Sequence, residues 1–122
     1  MTLLSLIQRE KAPRIADFHL PRDVGRPGAS VRNLVTVVMP VRNEERHVIA
    51  AINSVLEQQV PLELLVVDGM STDRTVELVR SIADPRVRVL ENPARTIPAA
   101  LNIGLNAACG EFIERWRWSF RS

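Results

Sequence analysis

The sequence predicts an α/β fold of three layers, α/β/α, with helices on both faces of a mainly parallel sheet. It spans residues 34–113 of a 122-residue chain. Three observations predict it. Short apolar, β-branched runs alternate with segments of helical period, the order expected of βαβ units. Two polar loops, 40–44 and 68–73, directly follow the first two strand runs. The length suits one domain with one modest core, and 46% of the residues are apolar.

The elements follow in order. Pro13, Pro21, Gly25, Pro27 and Gly28 interrupt every candidate element before residue 34. Residues 1–33 therefore read as a flexible leader, in which Leu3, Leu4, Leu6 and Ile7 suit a short docking helix. Leu34-Val35-Thr36-Val37-Val38-Met39, closed by Pro40, reads as a strand buried on both faces. Asn43 reads as the cap of a first helix, with Glu44 and Glu45 at its positive dipole end. Val48, Ile52, Val55 and Gln59 give that helix an apolar stripe of about four turns. Residues 63–67 read as the second strand. Ser71 or Asp73 caps a second helix striped by Val76, Val79, Ile82 and Ala83 and ended by Asp84-Pro85. Arg86-Val87-Arg88-Val89-Leu90 alternates with period two, a strand with one wet face. Thr96 caps a third helix with Pro98 in its first turn. Ile97, Leu101, Leu105 and Ala108 line its apolar side, Gly110 ends it, and residues 111–113 start a fourth strand.

Charge and composition exclude several function classes. The net charge is +2. Residues 1–33 carry six cations and three acids, 34–113 seven and ten, and 114–122 three and one. The basic excess thus lies in the tails and the fold is acidic, so no nucleic-acid partner is expected. Trp116 and Trp118 are able to stack on bases, but two aromatics at one end carry little weight. Cys109 is the single cysteine, so no intrachain disulfide forms. It reads as a small buried side chain in a reducing compartment. His19 and His47 share no motif with it, which argues against a thiol nucleophile and a zinc site. No apolar run reaches the ~18–20 residues of a membrane span. Residues 2–7 lack the length and flanks of a signal peptide. The expected location is the cytoplasm, compatible with peripheral association at the inner face of the membrane. Nothing in the sequence fixes an oligomeric state. The absence of Gly-x-Gly-x-x-Gly after the first strand, and of a P-loop, argues against dinucleotide and P-loop chemistry.

In an open α/β sheet, ligands bind beyond the carboxyl ends of the strands. Pro40 fixes the turn there, and Arg42, Asn43 and Glu44 offer a cation, an amide and a carboxylate. Asp68 follows the apolar run 64–67 and suits hydrogen bonds from a base edge or ribose hydroxyls. Gly69 permits close backbone approach. Each also has a structural reading: Asn43 as a cap, Glu44 as a dipole partner, Ser71 and Asp73 as caps. Arg95 fits a contact to a diphosphate and an exposed loop position equally well.

Four stretches, in this order and spacing, resemble the N-terminal part of the family 2 glycosyltransferases, whose fold is the Rossmann-like GT-A nucleotide-diphospho-sugar transferase fold. They are Val35-Thr36-Val37-Val38-Met39-Pro40-Val41-Arg42-Asn43-Glu44-Glu45, then Leu64-Leu65-Val66-Val67-Asp68-Gly69-Met70-Ser71-Thr72-Asp73-Arg74-Thr75, then Asn92-Pro93-Ala94-Arg95 with Ala100-Leu101-Asn102-Ile103-Gly104-Leu105, then Gly110-Glu111-Phe112-Ile113. The version at 68–73 looks most like bacterial exopolysaccharide-type members. The resemblance implies inverting transfer of a sugar from a nucleotide-diphosphate donor to a polysaccharide or lipid-linked acceptor. It implies that Pro40, Val41, Arg42, Asn43 and Glu44 line a nucleobase pocket and that Arg95 lies beside the donor diphosphate. Asp68 would meet the nucleoside, with Gly69 standing where many members carry a second acid.

The family continues from Gly-Glu-Phe-Ile into an Asp-x-Asp-like motif for Mn²⁺ or Mg²⁺. Here Arg115-Trp116-Arg117-Trp118-Ser119 follows, with Arg117 and Ser119 where acids are expected. Hard cations need oxygen ligands, which arginine does not supply. Residues 114–122 therefore read as an aberrant Arg/Trp tail. Neither a metal site nor a catalytic residue is expected in this chain, which reads as the donor-binding half of a transferase, inactive by itself. The alternative is a non-catalytic nucleotide-binding α/β fragment or a pseudogene product.

Overall fold

Strand and helix alternate without exception through residues 30–118, the part of the chain described by the computed structural model. The order is β1 (Val31–Val41), α1 (Val48–Leu56), β2 (Leu62–Asp68), α2 (Thr75–Arg80), β3 (Val87–Glu91), α3 (Ile97–Ala107) and β4 (Gly110–Arg115). The four strands form one sheet in the order β3-β2-β1-β4. Every neighbouring pair is parallel. β2 is buried along its whole length, as a central parallel strand covered on both faces must be.

Three layers result. On one face Val37, Met39, Leu64 and Val66 of the sheet meet Ile52 and Val55 of α1 and Val79 of α2. On the other, Val38 and Val67 meet Ala100 of α3, flanked by Leu101 and Ile103. α3 crosses β1 at Gly104, where an added Cβ would lie 2.5 Å from Cγ1 of Val38. The helix can approach the strand this closely because that position carries no side chain.

A buried polar knot ties the end of α3 to the sheet. The Thr36 hydroxyl donates to Oε2 of Glu63 at 2.6 Å, and the Cys109 amide donates to the same oxygen at 2.6 Å. The Gly110 amide donates to the Thr36 hydroxyl at 2.9 Å. Glu63 is only 1% exposed; these bonds supply its Oε2 with what water would otherwise give, while its Oε1 is buried without a partner. Cys109 is buried beside it, as expected.

Several boundaries differ from the expectation. α1 starts at Val48 after a turn and ends at Leu56, so Gln59 lies beyond it. Asn43 does not cap α1; its backbone is left-handed and its side chain is used between loops. α2 ends at Arg80, before Asp84 is reached. β3 is not divided into a dry and a wet face: residues 87–90 are all half-buried, and the Arg88 guanidinium donates to the Ala107 carbonyl at 3.2 Å. Gly110 opens β4 rather than ending α3, which stops at Ala107. Thr96 caps α3 as expected, accepting from the Ala99 amide at 3.3 Å.

The strand at each margin is longer than its apolar pattern. β1 begins at Val31, taking in three residues read as leader, and β4 runs on to Arg115. The Trp116 amide donates to the Val38 carbonyl at 2.8 Å, and Phe112, Trp116 and Trp118 pack on the α1/α2 face. Residues 1–29 of the leader, with the docking helix read at residues 3–7, lie outside the described residues, as does Ser119. Among the described residues no helix is long and apolar enough to cross a membrane.

Candidate functional site

The carboxyl ends of β1, β2 and β3 lie side by side, and the loops that leave them are bound into one rim. The Gly69 amide donates to the Val41 carbonyl and the Asn92 amide to the Asp68 carbonyl, both at 2.8 Å. Asn43 then clamps the first loop to the second. Its Oδ1 accepts from the Thr72 amide at 2.8 Å, and its own amide donates to the Ser71 hydroxyl at 2.9 Å. The Glu44 amide donates to the Thr75 hydroxyl at 2.8 Å. Each loop carries one non-glycine residue in left-handed backbone: Asn43 (φ 52°), Met70 (φ 63°) and Arg95 (φ 66°). Asparagine tolerates this conformation. For methionine and arginine it costs on the order of 1–3 kcal/mol each, strain that concentrates at functional rims.

Between the loops lies a cleft of about 140 Å³. Pro40, Val41, Arg42 and Glu44 line it from the first loop, Gly69 from the second, and Asn92 and Arg95 from the third. Ile97 and Ala100 of α3 and the indole of Trp118 complete its apolar wall. The Trp118 Nε1 donates to the Pro40 carbonyl at 2.6 Å, which fixes the ring against the end of β1. Six of the eight residues expected at the site thus gather around one cleft; Asn43 and Asp68 lie outside its lining.

Asp68 is 6% exposed, and its carboxylate is engaged locally. It accepts from the Ser71 hydroxyl at 2.5 Å and from the Ser71 amide at 3.2 and 3.3 Å. The strand-end acid therefore shapes the second loop. Asn92 is the residue that sequence reading undervalued. It is 2% exposed, its Nδ2 donates to the Thr96 carbonyl at 2.9 Å, and its Oδ1 is buried without a partner. Trp118 had a signal that went unread: Phe112, Trp116 and Trp118 continue a period of two into the core.

Two carboxylates on the rim titrate in opposite directions. Burial raises the pKa of Glu44; nearby His47 opposes this and Asp73 adds to it. For Asp73 burial again pushes upward, but hydrogen bonds from the Thr75 hydroxyl and amide, and from the Glu45 amide, prevail and lower its pKa. Glu44 therefore takes up a proton more readily than an ordinary glutamate, and Asp73 less readily.

A Mn²⁺ or Mg²⁺ site does not fit the residues present. No group of three His, Cys, Asp or Glu side chains is placed for a metal among the described residues. Asp68 and Asp73 already accept from Ser71 and Thr75, and past β4 an exposed arginine, Arg117, stands where the first of the acids is expected.

Comparison with known proteins agrees with this geometry. The pattern of Glycosyl transferase family 2 matches residues 36–114. An uncharacterized glycosyltransferase of Haemophilus influenzae is 38% identical over 84 residues, 66% of this chain and 34% of that protein. The succinoglycan biosynthesis protein ExoO of Rhizobium meliloti is 41% identical over 81 residues, 65% of this chain and 23% of that protein. The chain therefore spans about a third or less of these relatives. Among solved structures, the mannosyltransferase PcManGT from Pyrobaculum calidifontis, in complex with GDP-Man and Mn²⁺, superposes with a TM-score of 0.61 at 32% identity. That match covers 90% of this chain and 33% of the mannosyltransferase. With a parallel sheet in this order, a rim of three clamped loops and a family match over most of the fold, the chain belongs to glycosyl transferase family 2 and carries the N-terminal part of its GT-A fold.

Proposed function

We propose that the cleft beyond β1, β2 and β3 binds the nucleotide end of a nucleotide-diphosphate sugar. The observation that carries this reading is the meeting of Arg42, Arg95 and the unpartnered Asn92 Oδ1 with one apolar, aromatic wall. At about 140 Å³ the cleft is smaller than the ~300–1,000 Å³ typical of whole-ligand pockets. It suits one flat ring, with the diphosphate left at the mouth. The base lies against Trp118, since a nucleobase gains from an aromatic neighbour. Asn92 Oδ1 accepts an N–H or O–H from the nucleoside. Arg42 and Arg95, exposed at the mouth, take the diphosphate oxygens, for which the guanidinium fork is well matched. Asn43 and Asp68 serve the same site by holding its loops.

The wider reaction is sugar transfer to a polysaccharide or lipid-linked acceptor in the cytoplasm. The kinship with a succinoglycan biosynthesis protein supports the acceptor class, and the GDP-Man in the neighbouring structure supports the donor class. The described residues supply donor binding and no metal ligands, so this chain holds the donor without transferring the sugar. Calorimetry with UDP, GDP and their sugars tests the reading. Binding is expected without added metal, and Arg42→Ala and Arg95→Ala should each weaken it by ~1.5–3 kcal/mol, the worth of a charged hydrogen bond. No binding of any of these, or equal binding by both variants, would overturn it.

A further inference from the structure

The three loops of the rim meet at one spot that carries no side chain. A Cβ placed on Gly69 would lie 3.6 Å from Cα of Arg95 and 3.7 Å from Cβ of Arg42. The two arginines are therefore rooted on either side of Gly69, one in the first loop and one in the third, and all three residues line the cleft. The roots are fixed by backbone bonds. The Gly69 amide donates to the Val41 carbonyl at 2.8 Å, and the Arg95 amide to the Asn92 carbonyl at 3.0 Å. Among the described residues no carboxylate lies within ion-pairing distance of either guanidinium; the ion pairs there are Arg74 with Glu77 and Arg86 with Asp84.

Two unpaired cations held side by side repel each other and attract an anion between them. The positive end of α3 adds to this, since Thr96 and Ile97 at its start line the same cleft. Little opposes it. Glu44 is the one carboxylate in the lining, and Asp68 has turned its own to Ser71. A divalent cation and a pair of arginines do the same service for a diphosphate: each neutralises its oxygens. They also compete for those oxygens. A cation already seated on the diphosphate cancels much of the charge that the arginines attract, and meets them as a like charge. The misfit of Mn²⁺ or Mg²⁺ at this cleft has the same origin, because its mouth offers guanidinium groups where a hard cation needs oxygen ligands.

We propose that the cleft selects the metal-free form of its nucleoside diphosphate. Arg42 and Arg95 clamp the diphosphate in place of a divalent cation, and Gly69 sets this preference by leaving the clamp without an acid between its arms. The proposal rests on the reading of the cleft as a nucleotide site and adds which form of the nucleotide that site takes. Divalent cations then act as antagonists of binding.

Calorimetry of GDP and UDP on the 122-residue chain, in EDTA and in saturating Mg²⁺ or Mn²⁺ at one ionic strength, tests this. Affinity for the chelated nucleotide should be lower by about tenfold or more, as for the loss of one charged hydrogen bond. Gly69→Asp is the second arm. A Cβ there meets no atom closer than 3.4 Å, and the backbone at 69 is not left-handed, so the new side chain is accommodated. Its carboxylate would pair with the arginines. Affinity for metal-free nucleotide should then fall about tenfold below that of Gly69→Asn, which has the same shape without the charge. The gap between free and chelated nucleotide should narrow in the aspartate variant as well. Nucleotides that bind as well or better when chelated, or aspartate and asparagine variants of equal affinity, would overturn the metal-free clamp and leave the nucleotide site standing. No binding under either condition would overturn both.

Discussion

The indole nitrogen of Trp118 donates to the carbonyl oxygen of Pro40 at 2.6 Å, joining the residues just past β4 to the end of β1. Trp116 braces the ring edge-on, with centroids 6.0 Å apart and planes at 78°. A buried tryptophan N–H needs an acceptor, and using the strand's own carbonyl lets the ring stand as a wall of the cleft. The position is thus set by a hydrogen bond and a ring contact rather than by a flexible end of chain.

Trp118→Ala should therefore weaken nucleoside-diphosphate binding by ~1–3 kcal/mol, the usual worth of stacking one base on an aromatic side chain. Trp118→Phe keeps a ring but gives up the bond to Pro40, so its loss should be smaller. Calorimetry measures both. Unchanged affinity in the alanine variant would remove Trp118 from the site.

Asp68 acts on the cleft through Ser71, because both of its oxygens accept from that residue. Asp68→Ala should lower affinity by ~1.5–3 kcal/mol, and Ser71→Ala should reproduce much of that loss. If Ser71→Ala binds as wild type while Asp68→Ala does not, Asp68 touches the nucleotide itself and the indirect account fails.

The strands β1 and β2 were legible because a parallel strand covered on both faces writes a continuous apolar run, as 34–39 and 64–67 do. The gathering of Pro40, Arg42, Glu44 and Gly69 was legible too, since strand ends mark the ligand side of such a sheet. Asn43 was misread as a helix cap because the residues that claim it, Ser71 and Thr72, are 28 and 29 positions away. No local pattern reports such a bond. For Asp68 the partner is local instead: Ser71 lies three residues on, in the side-chain-to-backbone turn that aspartate commonly makes. Trp118 lay where the family places a metal motif, and that expectation outweighed the period of two running from Phe112. Glu63 gave no sign of its role, because the groups that satisfy it come from β1 and from the far end of α3.

Acid should loosen the join between α2 and β3. The Arg86 guanidinium, bonded to Asp84 at 2.8 Å, holds the Asp84 carboxyl below its ordinary pKa, against the upward push of burial. A carboxyl depressed on folding contributes stability that is full above its unfolded pKa and is lost as pH falls through the folded one. Chemical denaturation should thus show stability falling below the ordinary aspartate range, and Asp84→Asn should reduce that slope. An identical pH profile in the variant would show that the pair contributes nothing, as many exposed pairs do.

Gly104 decides how closely α3 can lie on the sheet, and two opposing effects bear on replacing it. Alanine in a helix interior is favoured over glycine by about 1 kcal/mol. Against this, the new methyl would sit 2.5 and 2.7 Å from the two γ-carbons of Val38. Val38 is buried in the middle of β1 and cannot turn away, so the helix must lift. Overpacking of this kind costs typically ~1–3 kcal/mol. The clash should win, and Gly104→Ala should lower stability in urea unfolding. Lifting α3 also shifts Ala100 and Ile97, which line the cleft, so nucleotide affinity should fall in the same variant. Val38→Ala removes both γ-carbons and leaves a cavity beside the helix. In that background the methyl at position 104 fills the cavity and brings its helical advantage, so Gly104→Ala should become neutral or stabilising. The coupling between two touching sites should then be well outside additivity. Strictly additive losses would mean that α3 has another place to rest, and that Gly104 does not set its height.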